Sequence, residues 1–156
     1  MPTELEHDDA RVHLRLWLRL LKVSRQIETT LRERLRREFQ STLPRFDVMA
    51  ALARYPDGLR MSELSGVLRV SNGNVTGIVD RLVKDGLVVR QAVPGDRRVQ
   101  HVFLSARGRT EFDTHAAAHQ QWVDELLADI PAADAELIMA SLNKVDTRVS
   151  DRNTPP

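Results

Sequence analysis

MSELSGVLRVSNGNVTGIVDRLVKDGLVVRQAVPGDRRVQHVFLSARG, residues 61–108, decides the fold. Residues 61–68 have the apolar spacing of a short helix, and Arg69-Val70-Ser71 is a connection. Ser71 can cap a second helix that runs to about Asp85, where Gly86 supplies the left-handed residue that ends it. Leu64, Leu68, Val75, Ile78, Val79 and Leu82 are spaced to form one small core between the two helices. LVVRQAV (87–93) is β-branched and strand-like, Pro94-Gly95-Asp96 turns the chain, and Val99–Leu104 reads as the returning strand. Helix, turn, helix, then hairpin is a winged helix-turn-helix plan.

The flanks are helical. Val12, Leu16, Leu20, Val23, Ile27, Leu31, Leu35 and Phe39 recur at steps of three and four, which predicts a long amphipathic helix over about 11–39. Its first half also carries Leu14, Trp17, Leu18 and Leu21, so it is apolar on more than one face, which suggests a subunit interface. Thr42 caps a helix that Pro44 begins and Pro56-Asp57-Gly58 ends. Two more helices are expected, over about 106–128 and 132–149, the second with a stripe of Leu137, Ile138, Leu142 and Val145. The fold class is mainly α (α+β). The expected organisation is a disordered tail over 1–9, a dimerisation region from 10–40 and 106–149, a winged helix-turn-helix over 41–105, and a disordered tail over 150–156.

Net charge is +1, but its distribution is uneven. Residues 58–109 hold nine Lys/Arg against four Asp/Glu, while the rest of the chain holds fourteen against eighteen. A basic middle between acidic arms suits a polyanion partner, since phosphate contacts release counterions. There is no cysteine, which removes disulfides and thiolate metal sites and fits a cytoplasmic protein. No apolar run approaches a membrane span, and the acidic start MPTELEHDDA has no signal-peptide pattern. No Ser-His-Asp order, Gly-rich phosphate loop or paired-carboxylate spacing stands out, so an enzyme is not expected.

The ordered series is more specific than any one part of it. The ELS…L helix, the SNGNVT start of the second helix and its DRL…GLVVR exit resemble the MarR family of bacterial transcription regulators. So do the wing's Asp96-Arg97-Arg98 and the Leu104-Ser105 after it, where the family usually has Leu-Thr. The resemblance implies a homodimer that binds double-stranded DNA at an inverted-repeat operator, usually as a repressor. Each recognition helix would enter a major groove and each wing the adjacent minor groove. Asn72 and Asn74 are the base-reading candidates, because an amide can read adenine through N6 and N7. Thr76 would contact a thymine methyl or a phosphate, and Gly77 would let the helix approach the duplex.

Arg98 is the minor-groove candidate and Arg97 a phosphate partner. Asp96 would orient Arg98, and the resemblance also pairs it with Arg81. Ser62, Arg69, Ser71 and Lys84 lie where phosphate contacts are expected. Arg60 stands where many relatives have a capping Thr; it cannot cap and would contact phosphate instead.

The resemblance also implies a small-molecule effector, such as an aromatic acid or an aryl-CoA thioester, and links to aromatic-acid catabolism. Trp17, Arg45, Phe46 and Met49 would line an apolar pocket with one cationic anchor, or Trp17, Phe46 and Met49 would simply be core. The basic run Arg32–Arg37 would hold CoA phosphates, or be a solvated face. His115 and His119, one helical turn apart, offer a metal-sensing alternative within the same fold. A winged-helix module that binds protein rather than DNA is the other alternative.

Overall fold

The computed structural model describes residues 4–68 and 72–153. The elements, in chain order, are α1 (Glu4–Phe39), α2 (Leu43–Ala53), β1 (Leu59–Arg60), α3 (Met61–Leu68), α4 (Asn72–Lys84), β2 (Val88–Val93), β3 (Asp96–Leu104), α5 (Ala106–Leu126) and α6 (Ala132–Asn153). The chain divides into two compact units, Met1–Gln121 and Trp122–Pro156. The first holds α1 to α4, the sheet and most of α5; the second holds the end of α5 and α6.

Two helices outrun their expected bounds. α1 starts at Glu4, so residues 4–9 are helical rather than a loose tail, and α6 runs on to Asn153. Neither stretch contains a Gly or Pro to stop it. α1 closes at Gln40, a non-glycine at φ 52°, whose N–H donates to Arg36 O while Ser41 N–H donates to Leu35 O. This left-handed close is a tight helix stop. Thr42 then caps α2, its hydroxyl accepting from the Arg45 N–H at 3.3 Å.

The start of α3 also has a definite basis. The Arg60 backbone N–H donates to Glu63 Oε2 at 2.7 Å, the reciprocal half of a capping box. Ser71, the expected cap of α4, and Arg69 lie outside the described residues.

The first unit's core is assembled from Val48, Met49 and Leu52 of α2, Leu64 of α3, Val75, Val79 and Leu82 of α4, and Leu87, Val88 and Val102 of the hairpin. Leu68 and Ile78 pack against it, so the expected helix-pair core forms. The sheet has the order β1-β3-β2, all antiparallel. Pro94 and Gly95, the latter at φ +91°, form a two-residue turn that pairs Val93 with Asp96. Asp96, Arg97 and Arg98 therefore lie on β3, which begins three residues earlier than expected. β1 was not anticipated. Two residues carry no period, and Leu59 is a strand only because Val102 pairs with it.

In the described single chain, several apolar side chains of α1 stay in solvent. Leu14, Trp17 and Leu18 are each more than half exposed, whereas Leu31 and Leu35 are buried. Leu137, Ile138, Leu142 and Val145 of α6 are likewise exposed.

The hairpin returns into α5 through a close contact. A Cβ built on Gly108 would lie 1.9 Å from Leu87 O. Gly108→Ala forces the first turn of α5 off the hairpin, with an expected loss of ~1–3 kcal/mol. Denaturant unfolding checks this: an unchanged midpoint means that the packing there is not rigid.

Candidate nucleic-acid interface

α4 is held from one side only. At ~100° per residue its buried residues Val75, Val79 and Leu82 share one face. Gly77 and Lys84 lie outermost, Asn74, Ile78 and Arg81 form one flank, and Thr76 and Asp80 form the other. All of these but Ile78 are exposed. The side chain of Asn72 lies outside the described residues. No neighbour lies within 4 Å of a Cβ built on Gly77. Packing inside the chain therefore does not require glycine there.

Each flank of α4 borders a cleft. On the Thr76 side, a cleft of about 480 Å³ is lined by Arg60 and Ser62, by Arg90 of β2 and by Arg98 of β3. On the Asn74 side, a cleft of about 520 Å³ is lined by Arg32 and Arg36 of α1, Ser41, Arg45 of α2, and Asn74 and Arg81 of α4. The expected site residues Arg60, Ser62, Thr76 and Arg98 are thus brought together. Arg97 and Lys84 are exposed but line neither cleft.

The wing pairing differs from expectation. Asp96 and Arg81 do not meet: Asp96 Oδ1 accepts the Arg98 backbone N–H at 2.9 Å, and Arg81 lines the cleft beside α1. The rotation of α4 turns Arg81 away from the wing and turns Asp80 toward it. Asp80 pairs with Arg90. The carboxylate therefore comes from the helix and the guanidinium from the strand. Arg90 alternates in register with buried Val88, which was the available signal that it faces inward.

The four expected pocket residues separate. Met49 and Phe46 are closed into the interior at 1% and 7% exposure, and Trp17 is 57% exposed on α1. Of the four, only Arg45 lines a described cleft, where Asp85 pairs with it at 2.8 Å. Apolar residue type alone cannot separate core from cavity wall.

His115 and His119 have aromatic partners. Phe39 lies over His115 with ring centroids 4.2 Å apart, and Phe46 stacks on His119 at 4.6 Å and on Phe112 at 5.7 Å. Among the described residues no group of three or more His, Cys, Asp or Glu is arranged to hold a metal ion. The imidazoles serve the packing of α5 on α1 and α2.

Burial lowers the pKa of both histidines. Glu111 opposes this at His115 and Arg45 adds to it, while Asp47 opposes it at His119. The fold therefore holds them neutral, and the unfolded chain takes up protons first as pH falls. Their contribution is complete above the ordinary histidine value of ~6.5 and is lost below it. Melting temperature is expected to fall between pH ~7.5 and ~5.5, and to fall less in His119→Phe, which keeps the ring stack. An equal fall in both proteins removes His119 as a cause.

Comparison with known proteins bears on the whole arrangement. A sequence model of the MarR family matches residues 41–99. A MarR family transcriptional regulator from Silicibacter pomeroyi, solved as a crystal structure, is 37% identical with a TM-score of 0.76, over 91% of this chain and 98% of that one. The chain belongs to the MarR family. A mutant MarR from E. coli, crystallised with operator DNA, is 27% identical with a TM-score of 0.74, over 83% of this chain and 92% of that one. The regulator MhqR of Bacillus subtilis is 24% identical over 85 residues, 54% of this chain and 59% of that one. The chain thus spans about three fifths of such curated relatives. The family match runs from α2 through α4 and β2 into the first residues of β3, and the cleft arginines of α1 lie before it.

Proposed function

We propose that this MarR-family regulator binds double-stranded DNA sequence-specifically as a homodimer at an inverted-repeat operator, and acts as a repressor in the cytoplasm. The observation that carries this reading is α4, with exposed Asn74, Thr76 and Gly77 between two arginine-lined clefts beside a wing bearing Arg97 and Arg98. α4 enters the major groove and Asn74 reads a base edge, with Asn72 as its neighbour. Arg98 reaches the minor groove, and its backbone is fixed by Asp96. The exposed apolar side chains of α1 and of α6 support burial against a second copy. A two-fold dimer presents two such helices, and that symmetry demands a palindromic site. The E. coli relative solved with operator DNA supports the same partner class.

A gel-shift titration with the region upstream of the chain's own gene tests the assignment. Asn74→Ala is expected to narrow the gap between the preferred and altered operators by ~1–3 kcal/mol. Arg98→Ala is expected to weaken binding. Wild-type behaviour in both variants would remove these residues from the interface.

We further propose that a small aromatic acid, or its CoA thioester, releases the protein from its operator. Thermal-shift screening of benzoates, hydroxycinnamates and their CoA thioesters is expected to give a stabilising ligand that also dissociates the DNA complex. Absence of both effects across the set sinks this effector class.

A further inference from the structure

The cleft between the end of α1, the start of α2 and α4 carries four guanidinium groups, from Arg32, Arg36, Arg45 and Arg81. Two of them are partly neutralised: Glu28 pairs with Arg32, and Asp85 with Arg45. Among the described residues, no ion pair engages Arg36 or Arg81, and both are exposed. Ser41 lines the same cleft at 7% exposure, and its hydroxyl makes no hydrogen bond among the described residues. The site therefore offers two uncommitted cations and a neutral donor.

Its position relative to α4 matters more than its charge. Thr76 and Arg81 are five residues apart, so they stand ~140° apart around the helix. The two clefts thus lie on opposite sides of the proposed reading helix, each lined by arginine. A helix ~10–12 Å across fills a major groove ~12 Å wide, and that groove is walled by one phosphate backbone on each side. One arginine cleft per flank matches one backbone per flank.

We infer that the α1-side cleft is a second phosphate seat, in which Arg36 and Arg81 engage the backbone of the strand opposite the one met by the wing-side cleft. The occupant is a DNA phosphate. The long helix α1 then contributes to DNA binding through its last turns as well as carrying the exposed apolar face nearer its start. Arg81 acts on the backbone, and base reading on that flank is left to Asn74. This inference rests on the DNA-binding reading above.

The test is fluorescence anisotropy of the full chain on two duplexes, the upstream region and a scrambled sequence of equal length, across a salt series. For wild type, log K falls linearly with log salt. In Arg36→Ala and in Arg81→Ala the slope is expected to shrink by about 0.9 for each phosphate no longer engaged, on both duplexes. Affinity is expected to fall roughly fivefold for each such phosphate at ~0.15 M salt. Arg36→Lys and Arg81→Lys keep the charge and restore the slope.

Unchanged slopes in both alanine variants, with wild-type binding intact, overturn the inference. So does a slope change confined to the upstream duplex, which would mean base reading. An arginine-dependent thermal shift with inorganic phosphate or benzoate, without any slope change, would make the cleft a small-anion site instead. Failure of wild type on both duplexes would sink the DNA-binding reading itself.

Discussion

The structure depends on one junction, where residues 85–87 meet residues 105–108. Gly86, at φ +75°, reverses the chain after α4, and Leu87 N–H donates back to Leu82 O. Ser105 then ties three elements at once. Its N–H donates to Leu87 O, its hydroxyl donates to Gly86 O at 2.7 Å, and the same oxygen accepts from Gly108 N–H at 2.9 Å. Arg107 adds a bond to Asp85 O. The end of α4, the root of the wing and the start of α5 are thereby fixed to one another within a few residues. Gly108 is required because Leu87 O occupies the space of a side chain.

This junction frees α4 from self-sufficiency. A helix of thirteen residues that begins Asn-Gly-Asn has poor intrinsic propensity, and helices this short are marginal in isolation. Val75, Val79 and Leu82 bury completely against α2, α3 and the hairpin, and the junction closes the far end. Stability is supplied by one face and one terminus. The opposite face and the first turn can then carry residues chosen for what they touch outside the chain.

The parts legible in the sequence were those with a period or a punctuating residue. Leu64, Val75, Val79 and Leu82 announced the helix pair, Gly86 its end, and Pro94-Gly95 the wing turn. The parts that were not legible depend on partners distant in sequence. β1 exists because β3 offers Val102. The Asp80–Arg90 pair depends on the rotation of α4 under β2: Asp80 and Arg81 stand ~100° apart around the helix, and it is Asp80 that faces the wing. The α1-side cleft joins residues from three helices; the basic run Arg32–Arg37 was visible in the sequence, but its meeting with Arg45, Asn74 and Arg81 was not. Phe46 and Met49 were open to either reading because core and cavity wall draw on the same residue types, and both are buried.

The Asp80–Arg90 pair then has a more limited role than its position suggests. Both side chains are partly exposed, and such pairs contribute little to stability. Arg90 also keeps a buried Nε without a partner among the described residues, which is not the mark of an optimised clamp. The angle between wing and helix must therefore come from the apolar contacts beneath, where Val88 and Val102 meet the α4 core. What the pair does is electrostatic. It neutralises Asp80, the carboxylate on the wing-side flank of α4, which leaves Glu63 and Asp96, each held by a backbone N–H, as the acidic groups beside Arg60 and Arg98.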